Sequence, residues 1–328
     1  MKLATQRTSS PDGSLLVVSR DQQRAVPATG IATTLQDAVD RWDEVSGPLE
    51  ALYEQINAGT VPGERLASLT LAAPLPRAWQ WLDASAFPSH GALMQRAFNL
   101  PPIDAEFPLM YQGMSHQFYG PFEDVPFPTE ADDIDFEGEF GVIVGEVPMG
   151  TPAERALDYV RLAVQINDWS LRRIAPVEMK TGFGWIQAKP ACSLAPIAVT
   201  PDELGPSWCN GRVTATLQVR RNGELFGSVP ATEMAYGFHE LIAHAARTRA
   251  LCAGTLIGSG TVSSSDYRTV GFSCITERRA MEMIDGGSPQ TPYLRYGELV
   301  EMRAFGHEST VPLFGEMRQR VIRYDAAR

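Results

Sequence analysis

Asp135-Phe136-Glu137-Gly138-Glu139-Phe140-Gly141-Val142-Ile143-Val144 is the stretch that decides how this chain is read. On a strand, successive side chains point to opposite faces. Glu137 and Glu139 therefore share one face, and Phe136, Gly138 and Phe140 share the other. Same-face neighbours lie about 7 Å apart at Cα, near enough for two carboxylates to converge on one cation. The strand then turns wholly apolar at Val142-Ile143-Val144, which places the acids at the margin of a core. There, two uncompensated carboxylates would repel each other and resist burial. An isolated Glu-x-Glu pair is common on solvated strand faces. What weighs against that reading is Gly138 between the acids and a third acid downstream. That acid is Asp168, in Gln165-Ile166-Asn167-Asp168-Trp169-Ser170, where a helix N-cap is the plain alternative. Oxygen-only ligands favour Mg²⁺, Mn²⁺ or Ca²⁺. The sequence offers no His/Cys cluster of the kind zinc prefers.

Two further stretches carry candidate chemistry. In Trp81-Leu82-Asp83-Ala84-Ser85-Ala86-Phe87-Pro88-Ser89-His90 an acid precedes a histidine by seven residues. His90, one of five histidines, lies between Ser89 and Gly91 and reads as part of a mobile active-site loop, with a surface histidine as the alternative. Lys189, in Gly184-Trp185-Ile186-Gln187-Ala188-Lys189-Pro190, follows an apolar-aromatic run. It could balance the acids or stabilise an oxyanion, or be a plain surface lysine. His239 and His244 read as helix-face residues, and His116 and His307 carry no spacing signal.

Around these stretches the chain organises simply. Pro11-Asp12-Gly13 is a turn before the strand Leu15–Val18. Leu35, Ala38, Val39 and Trp42 start a helical region over residues 34–57, with a break expected at Gly47-Pro48. A linker near residues 65–76 divides a small N-terminal α/β domain, 1–72, from a larger one, 73–328. In the second part Thr151-Pro152-Ala153-Glu154 predicts a helix to about Val164. Asn222-Gly223 predicts a type I′ hairpin within Leu217–Phe226. Met234–Arg249 reads as an amphipathic helix, and Gly254–Ser263 and Leu294–Ala304 as strands. Many short strands and few helices predict an α+β, mainly β, fold.

Composition narrows the function. The chain has 328 residues and a formal charge of −11, against nucleic acid or an anionic membrane as partner. No apolar run is long enough for a spanning helix, and the N-terminus lacks a signal-peptide core. The four cysteines are scattered, which suits reduced thiols and a cytoplasmic protein.

Taken in order, these pieces resemble the fumarylacetoacetate hydrolase family. Asp83 and His90 look like its first metal aspartate and catalytic histidine. Glu137-Gly138-Glu139 looks like its metal pair, and Asn167-Asp168-Trp169-Ser170-Leu171-Arg172 like its Asn-Asp-Trp-Ser-x-Arg motif. Lys189 and Gly260-Thr261-Val262-Ser263 match its lysine and Gly-Thr-Val-Ser motifs. The resemblance implies a mixed β-roll catalytic domain, a homodimer, and one Mg²⁺ or Ca²⁺ (Mn²⁺ as the variant) held by Asp83, Glu137, Glu139 and Asp168. It implies hydrolytic carbon–carbon cleavage of a 1,3-dioxo acid of fumarylacetoacetate or acylpyruvate type, as in aromatic amino acid catabolism. His90, oriented by Glu277, would be the base. Lys189 would stabilise the oxyanion, and Tyr111, Arg172, Gln187 and Thr261 would line the substrate site. Hydration, decarboxylation or isomerisation of a 2-oxo acid is the sister reading, and a non-catalytic metal-binding scaffold the third. Ser85 and Met179 stand where the family's name-giving enzymes carry an aromatic and a tyrosine, so the substrate itself is open.

Overall fold

The computed structural model describes residues 1–99, 101, 105–307 and 309–325. Strands β1 (Lys2–Gln6) and β2 (Ser14–Val18) pair antiparallel, and β3 (Arg24–Pro27) adds to β2. Helix α1 (Leu35–Asp40) is capped by the Thr34 side chain, which accepts from the Asp37 N–H. Helix α2 (Trp42–Ala58) follows at once. The break expected at Gly47-Pro48 lies instead at Arg41, which leaves helical geometry at φ −115° and ψ 31°. Pro48 sits inside α2, where it removes one backbone hydrogen bond. Burial of Val45, Leu49, Tyr53 and Ile56 on one face outweighs that loss. β4 (Glu64–Arg65) then pairs with β3.

The chain continues through β5 (Trp81–Ala84), α3 (Pro88–Phe98), β6 (Met110–Gly113), β7 (Val125–Phe127), β8 (Ile134–Asp135) and β9 (Gly138–Val144). The expected strand over 135–147 is thus two pieces with Phe136 and Glu137 between them. Helix α4 (Ala153–Ala156) is a single turn, not a helix to Val164. The Thr151 hydroxyl turns back to the Pro148 carbonyl at 2.7 Å and caps nothing. From Val160 the apolar, β-branched run is strand β10 (Val160–Asn167), because both its faces find cover in a sheet.

β11 (Ser170–Leu171) pairs with β8, and α5 (Ala175–Thr181) leads towards β12 (Ser193–Leu194) and β13 (Ala198–Val199), both on β10. β14 (Trp208–Cys209) and β15 (Arg212–Val213) form a small ribbon. β16 (Thr216–Arg221) and β17 (Glu224–Pro230) form the expected hairpin. Asn222 and Gly223 both have the positive φ of a type I′ turn, 53° and 83°. The last elements are α6 (Phe238–Ala245), β18 (Thr255–Gly258), α7 (Tyr267–Val270), α8 (Ile275–Gly286), β19 (Leu299–Phe305) and β20 (Pro312–Arg323).

One large sheet runs β4-β3-β2-β1-β13-β10-β9-β18-β5-β6, and a second runs β17-β16-β19-β20-β7. β9 shows how they stack. Phe140, Val142 and Val144 pack with Leu217, Val219, Met302, Phe314 and Met317 of the second sheet. Ile143 faces the other way, into a core with Leu162, Val164 and Leu256 and with Leu35, Leu49 and Tyr53 of the N-terminal helices. The architecture is therefore α+β and mainly β: helices, a large mixed sheet, then a smaller sheet.

Candidate metal centre and active site

The candidate residues sit where β9, β18, β5 and the end of β10 meet. Gly258 pairs with Gly141 of β9 on one side and with Asp83 of β5 on the other. Having no side chain, it leaves room between them. A Cβ there would lie 2.3 Å from Asp83 Oδ1. Asp83 shares its face with Trp81, and Glu139 shares its face with Ile143, so both carboxylates are on the face of the large sheet that the N-terminal helices cover further along. Asp168 follows β10, tied to the neighbouring chain by its N–H donating to the Glu137 carbonyl at 2.9 Å.

Ligand oxygens of Asp83, Glu139 and Asp168 lie within 4.8 Å of one another, and all three residues are buried. Glu139 is 0% exposed, and among the described residues neither of its carboxylate oxygens has a hydrogen-bond partner. Native interiors very seldom leave a carboxylate in that state. Burial, with Asp83 and Asp168 beside it, pushes its carboxyl well above the usual carboxylate range. Burial and then Asp168 push Asp83 up in the same way. The three form a possible metal-binding site, and an all-oxygen donor set with an unpartnered carboxylate fits a hard divalent cation.

Glu137, expected as a metal ligand with Glu139, Asp168 and Asp83, stands beside this trio. Its Oε1 accepts from Arg172 and its Oε2 from Lys189 Nζ at 2.6 Å. Burial alone would raise its pKa, but Arg172 and Lys189 outweigh burial and hold it far below the carboxylate range. Lys189 also donates to Asp168 Oδ2 at 2.7 Å. Burial opposes its charge, yet Asp168 and Glu137 outweigh that and keep it an ammonium. The Tyr111 hydroxyl donates to Asp168 Oδ2 at 2.6 Å, and its ring meets Trp185 edge-on. Arg172, expected to face substrate, spends its guanidinium on Asp135 and Glu137. Gln187 is exposed, and its backbone N–H donates to Glu178. Thr261 is buried just after Gly260, whose N–H donates to Asp83 Oδ1 at 3.1 Å.

The sequence places His90 in a mobile loop. It lies in the first turn of α3, because Pro88 opens the helix and its missing N–H costs nothing there. Its Nδ1 is 2.9 Å from Glu277 Oε1, in the first turn of α8. The histidine side chain is 19% exposed and the glutamate 2%. The pair adjoins the acidic cluster: Cys274, beside His90 and Glu277, forms a β-bridge with Glu137.

The sequence reading missed two residues. Cys192, one of the scattered cysteines expected as reduced thiols, donates its Sγ–H to Asp168 Oδ1 at 2.9 Å. Burial, then Asp168, push that thiol well up, so it remains a donor. Asp135 is in a strand, as expected, and it also takes hydrogen bonds from Arg172 and from α8, which no local pattern signals.

Comparison with known proteins fits this geometry. The family described as "Fumarylacetoacetate (FAA) hydrolase C-terminal" matches residues 80–322, and "Fumarylacetoacetase N-terminal domain 2" matches residues 1–77. The chain belongs to the fumarylacetoacetate hydrolase family. It is 26% identical over 204 residues to 2,4-didehydro-3-deoxy-L-rhamnonate hydrolase of Sphingomonas sp. (strain SKA58), covering 61% of this chain and 62% of that one. It is 26% identical over 157 residues to oxaloacetate tautomerase Fahd2a, mitochondrial, of Rattus norvegicus, covering 47% and 48%. The chain thus spans about half to two thirds of the length of these relatives. Its fold is shared with maleylpyruvate hydrolase from Sphingobium sp. SYK-6, solved with manganese(II) and pyruvate: TM-score 0.67, 17% identity, 99% of this chain and 100% of that one. Its relatives are therefore enzymes that include hydrolases and tautomerases. Among the described residues, no helix is long and apolar enough to cross a membrane.

Proposed function

We propose that this chain is a divalent-metal-dependent hydrolase that cleaves a carbon–carbon bond of a 1,3-dioxo acid. The observation that carries the reading is the His90–Glu277 pair at 2.9 Å, beside a buried carboxylate trio with an unpartnered glutamate. A trio of this kind would hold Mg²⁺, Mn²⁺ or Ca²⁺ through Asp83, Glu139 and Asp168, with Glu137 alongside. The bound ion would supply Lewis-acid polarisation of substrate oxygens.

The chain's own groups do the rest. Glu277 fixes the ring of His90 by its contact to Nδ1, which leaves Nε2 to take a proton from water. The hydroxide adds to the acyl carbonyl carbon. Lys189 has three ammonium protons, two of them on Glu137 and Asp168, so a third remains for the developing oxyanion. The carbon–carbon bond then breaks, its electron pair stays on the departing enolate carbon, and that carbon takes back the proton held by His90. Water and one dioxo acid give two acids.

The same base next to the same acids would also suit keto–enol proton transfer, the reaction named for the tautomerase relative. Products separate the readings: two acids from hydrolysis, carbon dioxide from decarboxylation, a hydroxy acid from hydration, an unchanged mass from isomerisation. The test is a panel of acylpyruvates and fumarylacetoacetate with Mg²⁺ and Mn²⁺, read by loss of diketone absorbance and by product mass. No turnover of any dioxo acid, with metal bound, would overturn the hydrolase reading.

A further inference from the structure

Asp135 is a fully buried carboxylate with no role in the chemistry above. Its Oδ1 accepts from the N–H groups of Phe136 at 2.8 Å and Ile275 at 2.7 Å. Its Oδ2 accepts from the N–H of Thr276 at 3.0 Å, the Thr276 hydroxyl at 2.8 Å and Arg172 Nε at 2.8 Å. A carboxylate so surrounded is locked in place. Ile275 and Thr276 are the first two residues of α8, and Glu277 is the third. Arg172 reaches the other way, to Glu137. One side chain therefore joins the turn that carries the partner of His90 to the arginine that holds the acidic cluster.

We propose that Asp135 is a positioning residue, one that sets the His90–Glu277 pair at its working distance from the carboxylate cluster. Its catalytic consequence rests on His90 being the base, as proposed above. A carboxylate at the start of α8 also suits the helix dipole, so a role in stability alone is the competing account. The two accounts part at Asp135→Asn. The amide keeps the size but turns an NH₂ towards groups that are themselves donors, Thr276 N–H or Arg172.

If Asp135 positions the pair, kcat in Asp135→Asn falls about 10²-fold, the low end of what a base contributes. KM and metal stoichiometry stay close to native, since the loss is confined to the transition state. The imidazole Nδ1–H resonance of His90, read by NMR in the full-length protein, shifts as its contact with Glu277 loosens. Thr276→Val removes one of the five bonds to Asp135, together with the 3.3 Å contact of the Thr276 hydroxyl to Tyr293, and is the milder variant if Asp135→Asn fails to fold. It should move the same resonance in the same direction by less. A lowered Tm with native kcat and an unmoved His90 resonance would overturn the proposal. If no dioxo acid turns over even with the native protein, the hydrolase reading fails, while the resonance still decides whether Asp135 positions His90.

Discussion

Glu139→Gln tests the metal centre with two readouts of opposite sign. In the metal-free protein Glu139 is buried, both its oxygens lack partners, and Asp83 and Asp168 crowd it. Its raised pKa means that a carboxyl at this place costs stability at neutral pH, by proton uptake or by buried charge, and the amide carries neither cost, so the metal-free variant should be more stable, by about 1 kcal/mol given the cost of an unsatisfied buried group. Metal binding should move the other way. Two unit charges about 4 Å apart are worth about 4 kcal/mol at an effective dielectric near 20. An amide oxygen still ligates, so part of that remains and Kd should rise about 10²- to 10³-fold. At a metal concentration of about 100 times the native Kd, the native protein gains about 2.7 kcal/mol, and a variant 10²-fold weaker gains about 0.4. For a chain of this size the native gain is a rise in Tm of about 4 °C and the variant's under about 1 °C. Calorimetric melts with and without Mg²⁺ or Mn²⁺, and titration calorimetry, read both signs. A variant that melts lower without metal yet keeps the full metal-dependent rise would refute the reasoning, because Glu139 would then be a structural acid.

Three further outcomes follow from the same geometry. His90→Ala should lower kcat by about 10²-fold or more while metal content by elemental analysis stays native, and full turnover would remove His90 as base. Gly258→Ala drives a Cβ to 2.3 Å from Asp83 Oδ1 and 2.4 Å from the Trp81 ring. Overpacking of that kind costs about 1–3 kcal/mol, and displacing Asp83 should weaken metal binding about tenfold or more; native affinity would mean that Asp83 is no ligand. Glu298 is mostly buried, which would raise its pKa, but hydrogen bonds from Arg221, the Arg295 N–H and Asn222 outweigh that and lower it. A lowered folded-state pKa stabilises above the unfolded value near 4.5 and is lost as pH falls through the folded value. Glu298→Gln should therefore cost about 1–2 kcal/mol at pH 7, and the gap to native should close below about pH 4.5 in denaturant melts. A gap constant across that range would count against the charge as its source.

The fold class and the order of the site motifs were legible in the sequence because they rest on local chemistry. β9 reads as an apolar run since both its faces are covered, and Asn222-Gly223 reads as a turn since both positions need positive φ. Local signals failed where tertiary burial opposed them. Pro48 stays in a helix whose far face is packed, and the Thr151 cap loses to a strand that completes a sheet. Within the site, residue types were legible and partners were not. Arg172 stood out by its motif, but its partner Asp135 also holds Ile275, 140 positions away, and no spacing encodes that contact. Cys192 looked like any buried thiol until Asp168 came to lie beside it.

The arrangement of charge also says on which side of the cluster a cation would sit. Glu137 already has Arg172 and Lys189, and Asp168 has Lys189, Tyr111 and Cys192 on its two oxygens. Asp83 has a backbone N–H, and Glu139 has no hydrogen-bond donor among the described residues. A divalent ion would gain most where acids are least compensated, so its seat would lie towards Glu139 and Asp83, with Asp168 shared between the ion and Lys189. Glu137 then serves to hold Lys189 close to that seat. On this layout Glu137 and Glu139, two residues apart and alike in the sequence, would do different work: one would keep the Lys189 ammonium beside the site, and the other would bind the ion.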